Sequence, residues 1–228
     1  MSRGEKFCLF WGTKHPKYGV FSNWHMSDFV EDGQRYCCVE QWMMAEKARL
    51  FGDDAALARI LSSRNPKEMK AFGRGVRDFD CDTWDARCQD IVFRGCTAKF
   101  RASAALCAVL VGTGREHIAE ASPVDAIWGI GMAADHRDAR HPARWRGTNY
   151  LGIALMRARE VLRAEEAAGC CCGGGGGDGG GGGGAAAAAA AAALSAATSI
   201  AEQPEQSEET KEKKKKKKKR PKVGIVQR

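Results

Sequence analysis

Long apolar runs are missing from this 228-residue chain: no stretch approaches the ~20 residues of a membrane-spanning helix. The polar start Met1-Ser2-Arg3-Gly4-Glu5-Lys6 leads into no signal-peptide core. Both absences exclude a helical membrane protein and favour a soluble, intracellular one, cytoplasmic or nuclear. Paired cysteines are missing as well. Of ten cysteines, seven stand at positions 8, 37, 38, 81, 88, 96 and 107, with no Cys-x-x-Cys among them. That scatter excludes a disulfide framework or a zinc ribbon and suits reduced, buried thiols. The remaining three, Cys170-Cys171-Cys172, sit in a glycine tract with no neighbouring ligands to support a metal or lipid role.

A charge imbalance is also absent where it would matter. Residues 1–168 carry 25 Lys and Arg against 22 Asp and Glu, a net +3, so most of the overall +8 lies beyond them. The chain therefore divides into a unit of residues 1–168, long enough to bury a core, and a low-complexity tail over 169–228. The tail holds a glycine run, an alanine run, an acidic patch and a block from Lys213 to Arg220. Such runs bury too little apolar surface to order themselves, so the tail is expected to be disordered. Its lysines would bind an importin or polyanions.

The most informative stretch present is Tyr36 to Phe51. At about 100° per residue, Met43, Lys47, Glu40, Phe51, Met44 and Leu50 share one sector, with Gln41, Ala45, Glu46 and Arg49 outside it. An acid and an amine thus lie within an apolar stripe. Seven residues separate them, or roughly 10 Å along the axis, too far for a salt bridge and wide enough for a small substrate. Each could instead pair elsewhere or snorkel to solvent. Trp42 falls outside the stripe, which requires cover on that side too or a place along a cleft rim.

Before this helix, Phe7–Trp11 and Val20–Phe21 read as short strands, and Asp32-Gly33 as the turn of a hairpin before Tyr36. Gly19-Val20-Phe21-Ser22-Asn23-Trp24 is a turn between aromatics. After it, Gly52 closes the helix, Asp53-Asp54 caps a second, and Pro66 begins a third. Gly73–Arg77 reads as a solvated basic loop, or one that meets a phosphate, though it has no phosphate-binding fingerprint. Asp82-Thr83-Trp84-Asp85 resembles a capping box opening a helix through Phe93, Gly95 interrupts it, and Thr97–Val111 makes another. Ser122-Pro123-Val124-Asp125-Ala126-Ile127-Trp128-Gly129 combines an aromatic, a glycine and a carboxylate in one loop. The segment from Ala133 to Arg144 is expected beside the cleft entrance, its His136 and His141 without a compact metal-ligand set. Thr148 or Asn149 caps a final helix. These elements give a mostly α (α+β) fold with a small N-terminal strand element.

Four motifs occur in one order: Gly19-Val20-Phe21-Ser22-Asn23; Val39-Glu40-Gln41-Trp42 with Glu46-Lys47-Ala48; Ser122-Pro123-x-Asp125-x-x-Trp128-Gly129-Ile130-Gly131; and Trp145-x-Gly147-x-Asn149-x-Leu151-Gly152. Together they resemble the NADAR family of YbiA-like N-glycosidases over roughly residues 6–165. The resemblance implies hydrolysis of a ribosyl C1′–N bond without metal or cofactor. Two substrates are implied: phosphorylated ribosyl-aminopyrimidine intermediates of riboflavin synthesis, and ADP-ribosylated guanine, which can belong to nucleic acid. It assigns catalysis to Glu40, Lys47 and Asp125, and substrate binding to Asn23, Trp84, Trp128, Gly129 and Asn149. Oxocarbenium character at C1′ calls for a nearby carboxylate, and the leaving base calls for a proton. Lys47 would attack C1′ as a neutral amine to give an imine, or else hold a phosphate. A non-catalytic ADP-ribose or nucleotide-binding module would need neither Glu40 nor Lys47. An adaptor for nucleic acid would act through the tail alone.

Overall fold

A computed structural model describes residues 6–169. The tail and Cys170–Cys172, with the expectations attached to them, lie outside the described residues. No described helix is long and apolar enough to cross a membrane.

The chain begins with β1 (Phe7–Phe10), turns through a short 3-10 segment at Gly19–Phe21, and forms the hairpin β2 (Phe29–Glu31) and β3 (Gln34–Tyr36). Asp32 and Gly33 both take positive φ, 50° and 74°, which is the twist a two-residue hairpin turn demands. Val20–Phe21, expected as a strand, belongs to the 3-10 turn instead. Phe21 is buried there by stacking on Tyr18 and meeting Phe10 edge-on, so its apolar character serves packing rather than pairing.

Seven helices follow among the described residues: α1 (Val39–Leu50), α2 (Asp54–Ser62), α3 (Pro66–Arg74), α4 (Cys81–Asp85), α5 (Cys88–Arg101), α6 (Ala104–Val111) and α7 (Tyr150–Ala167). Gly52 at φ 67° ends α1, and the Asp53 side chain caps α2 by accepting from Ala56 N–H. Helix α3 starts with Pro66 and takes in Gly73 and Arg74, so the expected loop begins only at Gly75. Asp80, not Asp82, caps α4, accepting from Thr83 N–H at 2.8 Å. The expected break at Gly95 is absent, because this glycine is a packing contact inside α5. A Cβ there would collide with the Trp42 ring. The break falls instead at Ala102-Ser103, where Ser103 caps α6.

Helix α1 packs on α2, α3 and α5 and is buried on nearly every side, contrary to the single stripe expected. Trp42 is wholly buried and donates its indole N–H to Ile91 O at 2.7 Å. Gln41, placed outside the stripe by periodicity, is buried too. It accepts from Cys37 N–H and donates to the carbonyls of Ile60, Leu61 and Ser63, joining the ends of α1 and α2.

The stretch before Ser122-Pro123, read from the sequence as the end of a helix, forms strand β4 (His117–Glu120) instead. It pairs in parallel with β1, Phe7 opposite His117 and Phe10 opposite Glu120. Alternation splits the pair's two faces. Cys8, Phe10 and Ile118 enter the main core, while Leu9 and Ala119 join a smaller cluster with Ala121, Ile130, Met132 and Ala139. The Ala133–Arg144 segment covers that smaller cluster, with the Trp145 indole N–H donating to Ala139 O. It does not line the cleft described below, which corrects its expected place at the entrance. No group of three or more His, Cys, Asp or Glu that could hold a metal occurs among the described residues.

Substituting Gly95→Ala should lower stability by about 1–3 kcal/mol through overpacking against Trp42, outweighing the ~1 kcal/mol that alanine gains in a helix. A urea melt reads this as a lower midpoint with unchanged slope. An unchanged or raised midpoint would show that the indole moves aside freely.

Candidate active site

A cleft of about 710 Å³ opens where α1, α3, α4, the turn after Phe21 and the loop after β4 converge. Helix α1 contributes Glu40, Met43, Met44 and Lys47, so the acid and amine seven residues apart do open onto one space. Lys70, Gly73 and Arg74 come from α3 and Trp84 from α4. Gly73 lies tight against Met44, whose sulfur would have to move to admit a Cβ there.

Glu40 is the most buried charged group of the cleft, 3% exposed. Its backbone N–H donates to Asn23 O at 3.0 Å, which docks the Ser22-Asn23 turn onto the first turn of α1. Among the described residues its Oε1 has no hydrogen-bond partner, and neither does Asn23 Oδ1. Removal from water pushes the Glu40 carboxyl up to about 7, with the Asp125 carboxylate adding to the rise. Lys70, a hydrogen bond from the Trp24 side chain, and Arg74 act against it.

Lys47 lies within an aromatic corner, its Nζ 3.9 Å from the Phe79 ring centroid and 5.5 Å from that of Trp84. Burial lowers its pKa, Arg74 lowers it further, and Cys81 opposes the shift. No carboxylate pairs with it among the described residues.

The loop after β4 is shaped around Asp125. Its Oδ1 accepts from the N–H groups of Ile127 and Trp128 at 3.0 and 2.8 Å, and Oδ2 faces Lys70 Nζ at 4.0 Å. Ser122 Oγ in turn accepts from Asp125 N–H at 3.1 Å. Trp128 stands at the cleft wall, its ring edge-on to Tyr150 at 6.1 Å.

Six of the eight residues expected from the sequence therefore meet in one cleft: Asn23, Glu40, Lys47, Trp84, Asp125 and Trp128. Gly129 and Asn149 do not line it. Asn149 is 1% exposed in the left-handed conformation at φ 54°. Its side chain accepts from Glu120 N–H and donates to Ile118 O. Nor does it cap α7 with its side chain. Sequence reasoning missed Glu120 and Lys70, which do line the cleft, while Arg74, read as part of a basic loop that could meet a phosphate, reaches it from the end of α3. Burial pushes the Glu120 carboxyl up to about 7, with Asp125 and Glu40 adding to the rise and Lys70 opposing. An acid two residues before the Ser-Pro motif was the available signal.

The NADAR domain profile matches residues 9–163 of the chain. The chain belongs to the NADAR domain family. An N-glycosidase of Acanthamoeba polyphaga mimivirus is 39% identical over 163 residues, covering 68% of this NADAR chain and 96% of the viral protein. The chloroplastic riboflavin biosynthesis protein PYRR of Zea mays is 29% identical over 156 residues, which are 62% of this chain and 23% of the maize protein. The NMR structure of Escherichia coli YbiA superposes with a TM-score of 0.60 at 26% identity, covering 72% of this chain and 88% of that one. The mostly helical YbiA-like fold is thus the fold of this NADAR domain.

The buried acid makes stability depend on pH with a definite sign. A carboxyl at about 7 when folded, against an ordinary 4.5, binds its proton more tightly folded than unfolded. Its contribution is fully present below about pH 4.5 and is lost as pH rises through 7. Glu40→Gln should therefore raise the melting temperature at about pH 8, on the order of 5 °C, with the gain vanishing near pH 5. Scanning calorimetry at the two pH values checks this. Equal melting temperatures for both proteins at the higher pH would mean that Glu40 ionises without penalty.

Proposed function

We propose that the cleft hydrolyses the C1′–N bond between a phosphorylated ribose and a nitrogenous base. The observation that carries this reading is the meeting, in one cleft lined by Trp84 and Trp128, of two carboxyls held largely away from water, a third carboxylate and an amine with no carboxylate partner among the described residues. Hydrolysis of an N-glycosyl bond is also the chemistry in the names of the viral and bacterial relatives. A module that only held a nucleotide would have no use for a buried acid with one oxygen unpartnered and an amine without a carboxylate partner among the described residues.

In this reading Trp84 and Trp128 hold the base, Asn23 hydrogen-bonds the sugar or base through its free Oδ1, and Lys70 and Arg74 take the phosphate. Asp125, fixed by two backbone N–H groups, stabilises positive charge growing at C1′. Lys47 attacks C1′ as a neutral amine. The C1′–N electron pair leaves with the base, the ribose ring opens to an imine, and water then releases the sugar. Glu40 moves the protons of that hydrolysis.

A phosphorylated ribosyl-aminopyrimidine of riboflavin synthesis is the substrate we favour, in line with the name of the maize relative. ADP-ribose on guanine, free or within nucleic acid, is the second reading. It is favoured by the cleft's size, in the upper part of the about 300–1,000 Å³ usual for small ligands, and by its exposed rim of Trp11, Trp24, Val124 and Ile127. Incubation with each substrate and chromatography of the released base decides between them. Release from neither would overturn the hydrolase reading.

Borohydride added during turnover should trap an adduct weighing the protein plus the reduced sugar. Lys47→Arg keeps the charge but removes the imine route, so trapping should disappear and kcat should fall steeply. Near-normal kcat in that variant with no adduct ever captured would make Lys47 a phosphate anchor.

Asp125→Asn preserves the acceptor for Ile127 and Trp128 while removing charge, so kcat should fall on the order of 10²-fold with little change in KM. Trp128→Ala should instead raise KM first. Equal KM effects with unchanged kcat in both variants would reduce Asp125 to a binding residue.

A further inference from the structure

We propose that Glu120 is the group that protonates the departing base, an assignment that rests on the hydrolase reading above. Glu120 ends β4 and opens onto the cleft from the segment that also carries Asp125 and Trp128, whereas Glu40 and Lys47 come from α1. A base held at Trp128 is therefore served from its own wall.

The backbone of Glu120 is held from several directions. Its N–H donates to Asn149 Oδ1 at 3.1 Å, and its carbonyl accepts from Ser122 N–H at 2.8 Å and Ile130 N–H at 2.9 Å. Gly129 lies so close beneath that carbonyl that a Cβ would stand 2.7 Å from it. Gly129 and Asn149, absent from the cleft lining, thus act together in fixing Glu120. The side chain contrasts with this fixed base, for its carboxyl has no hydrogen-bond partner among the described residues. A carboxyl on a rigid support, mostly removed from water and left unbonded toward a cleft, is arranged for a ligand rather than for the fold.

Its electrostatic neighbours fit a proton donor. Desolvation, the Asp125 carboxylate and Glu40 all favour the protonated form, and only Lys70, itself drawn to Asp125, opposes them. Glu40 has more opposition to protonation, from Lys70, Arg74 and the Trp24 hydrogen bond. The two acids are thereby biased toward different roles. In the step itself, the C1′–N electron pair passes to the base nitrogen, which takes the Glu120 proton. Water then hydrolyses the Lys47 imine with Glu40 moving the protons, and the one proton released restores Glu120, so that one water is consumed for each base released.

The test compares full-length wild type with Glu120→Gln on two ribose 5-phosphates. One carries an aminopyrimidine base that must be protonated to leave. The other carries p-nitrophenol, which leaves as a stable anion. For the variant, kcat for base release should fall on the order of 10²-fold or more, with KM within about threefold and the alkaline limb of the pH–rate profile gone. Release of nitrophenolate should stay within about fivefold of wild type, which also reports an intact fold. Should the glutamine variant fail to fold, Glu120→Asp should show the same selectivity in milder form, losing base release but not nitrophenolate release. Equal losses on both substrates, or no loss on either, would overturn the assignment while leaving the hydrolase reading intact. Wild-type protein that releases nothing from either substrate would overturn both.

Discussion

Helix α1 is surrounded, and every polar group on it must therefore find a partner or face the cleft. Gln41 meets this constraint with four backbone partners and Trp42 with one. Their satisfaction fixes the helix in rotation and height, because a buried amide or indole without a partner costs roughly 1–3 kcal/mol. Glu40, with one carboxyl oxygen unpartnered, and Lys47, with no carboxylate partner, are the members left incompletely satisfied among the described residues. With the helix locked by its neighbours, these two can only be presented where the packing stops, and there lies the cleft. A stabilising shell thus aims a destabilised pair.

Much of this was legible in the sequence, and what was not has physical reasons. Punctuation by Gly52, Asp53, Pro66 and Asp32-Gly33 located elements correctly, because a cap or a positive φ is a local requirement. The seven-residue spacing put Glu40 and Lys47 on one cleft for the same reason. Burial of Gln41 was invisible, since a polar residue reads as exposed until its distant carbonyl partners are known. Gly95 misled because a glycine demanded by the neighbouring Trp42 ring looks the same as one that breaks a helix. Strand β4 was missed because four residues are too few to show a period and the partner strand is far away in sequence.

The site's acids show the same division. Glu40 could be found from its own helix, whereas Glu120 acquires its properties only when β4 pairs with β1 and the loop folds back upon it. Asn149 is recognisable as a motif residue, yet the structure sets it behind the wall, bonded to strand β4. A side chain can be tied to a site by what it holds as firmly as by what it touches.

The parallel pairing of β1 with β4 has a consequence for how the molecule comes into being. Phe7 and His117 are adjacent in space but 110 residues apart in the chain. On the ribosome, β1 emerges first and waits for its only sheet neighbour among the described residues until α1 through α6 have been made. The α1 half of the cleft, with Glu40 and Lys47, is synthesised long before the half with Glu120, Asp125 and Trp128. A nascent chain cannot assemble the complete set of acids, amine and aromatics until that late strand docks, so the candidate site is withheld until the fold around it is nearly finished.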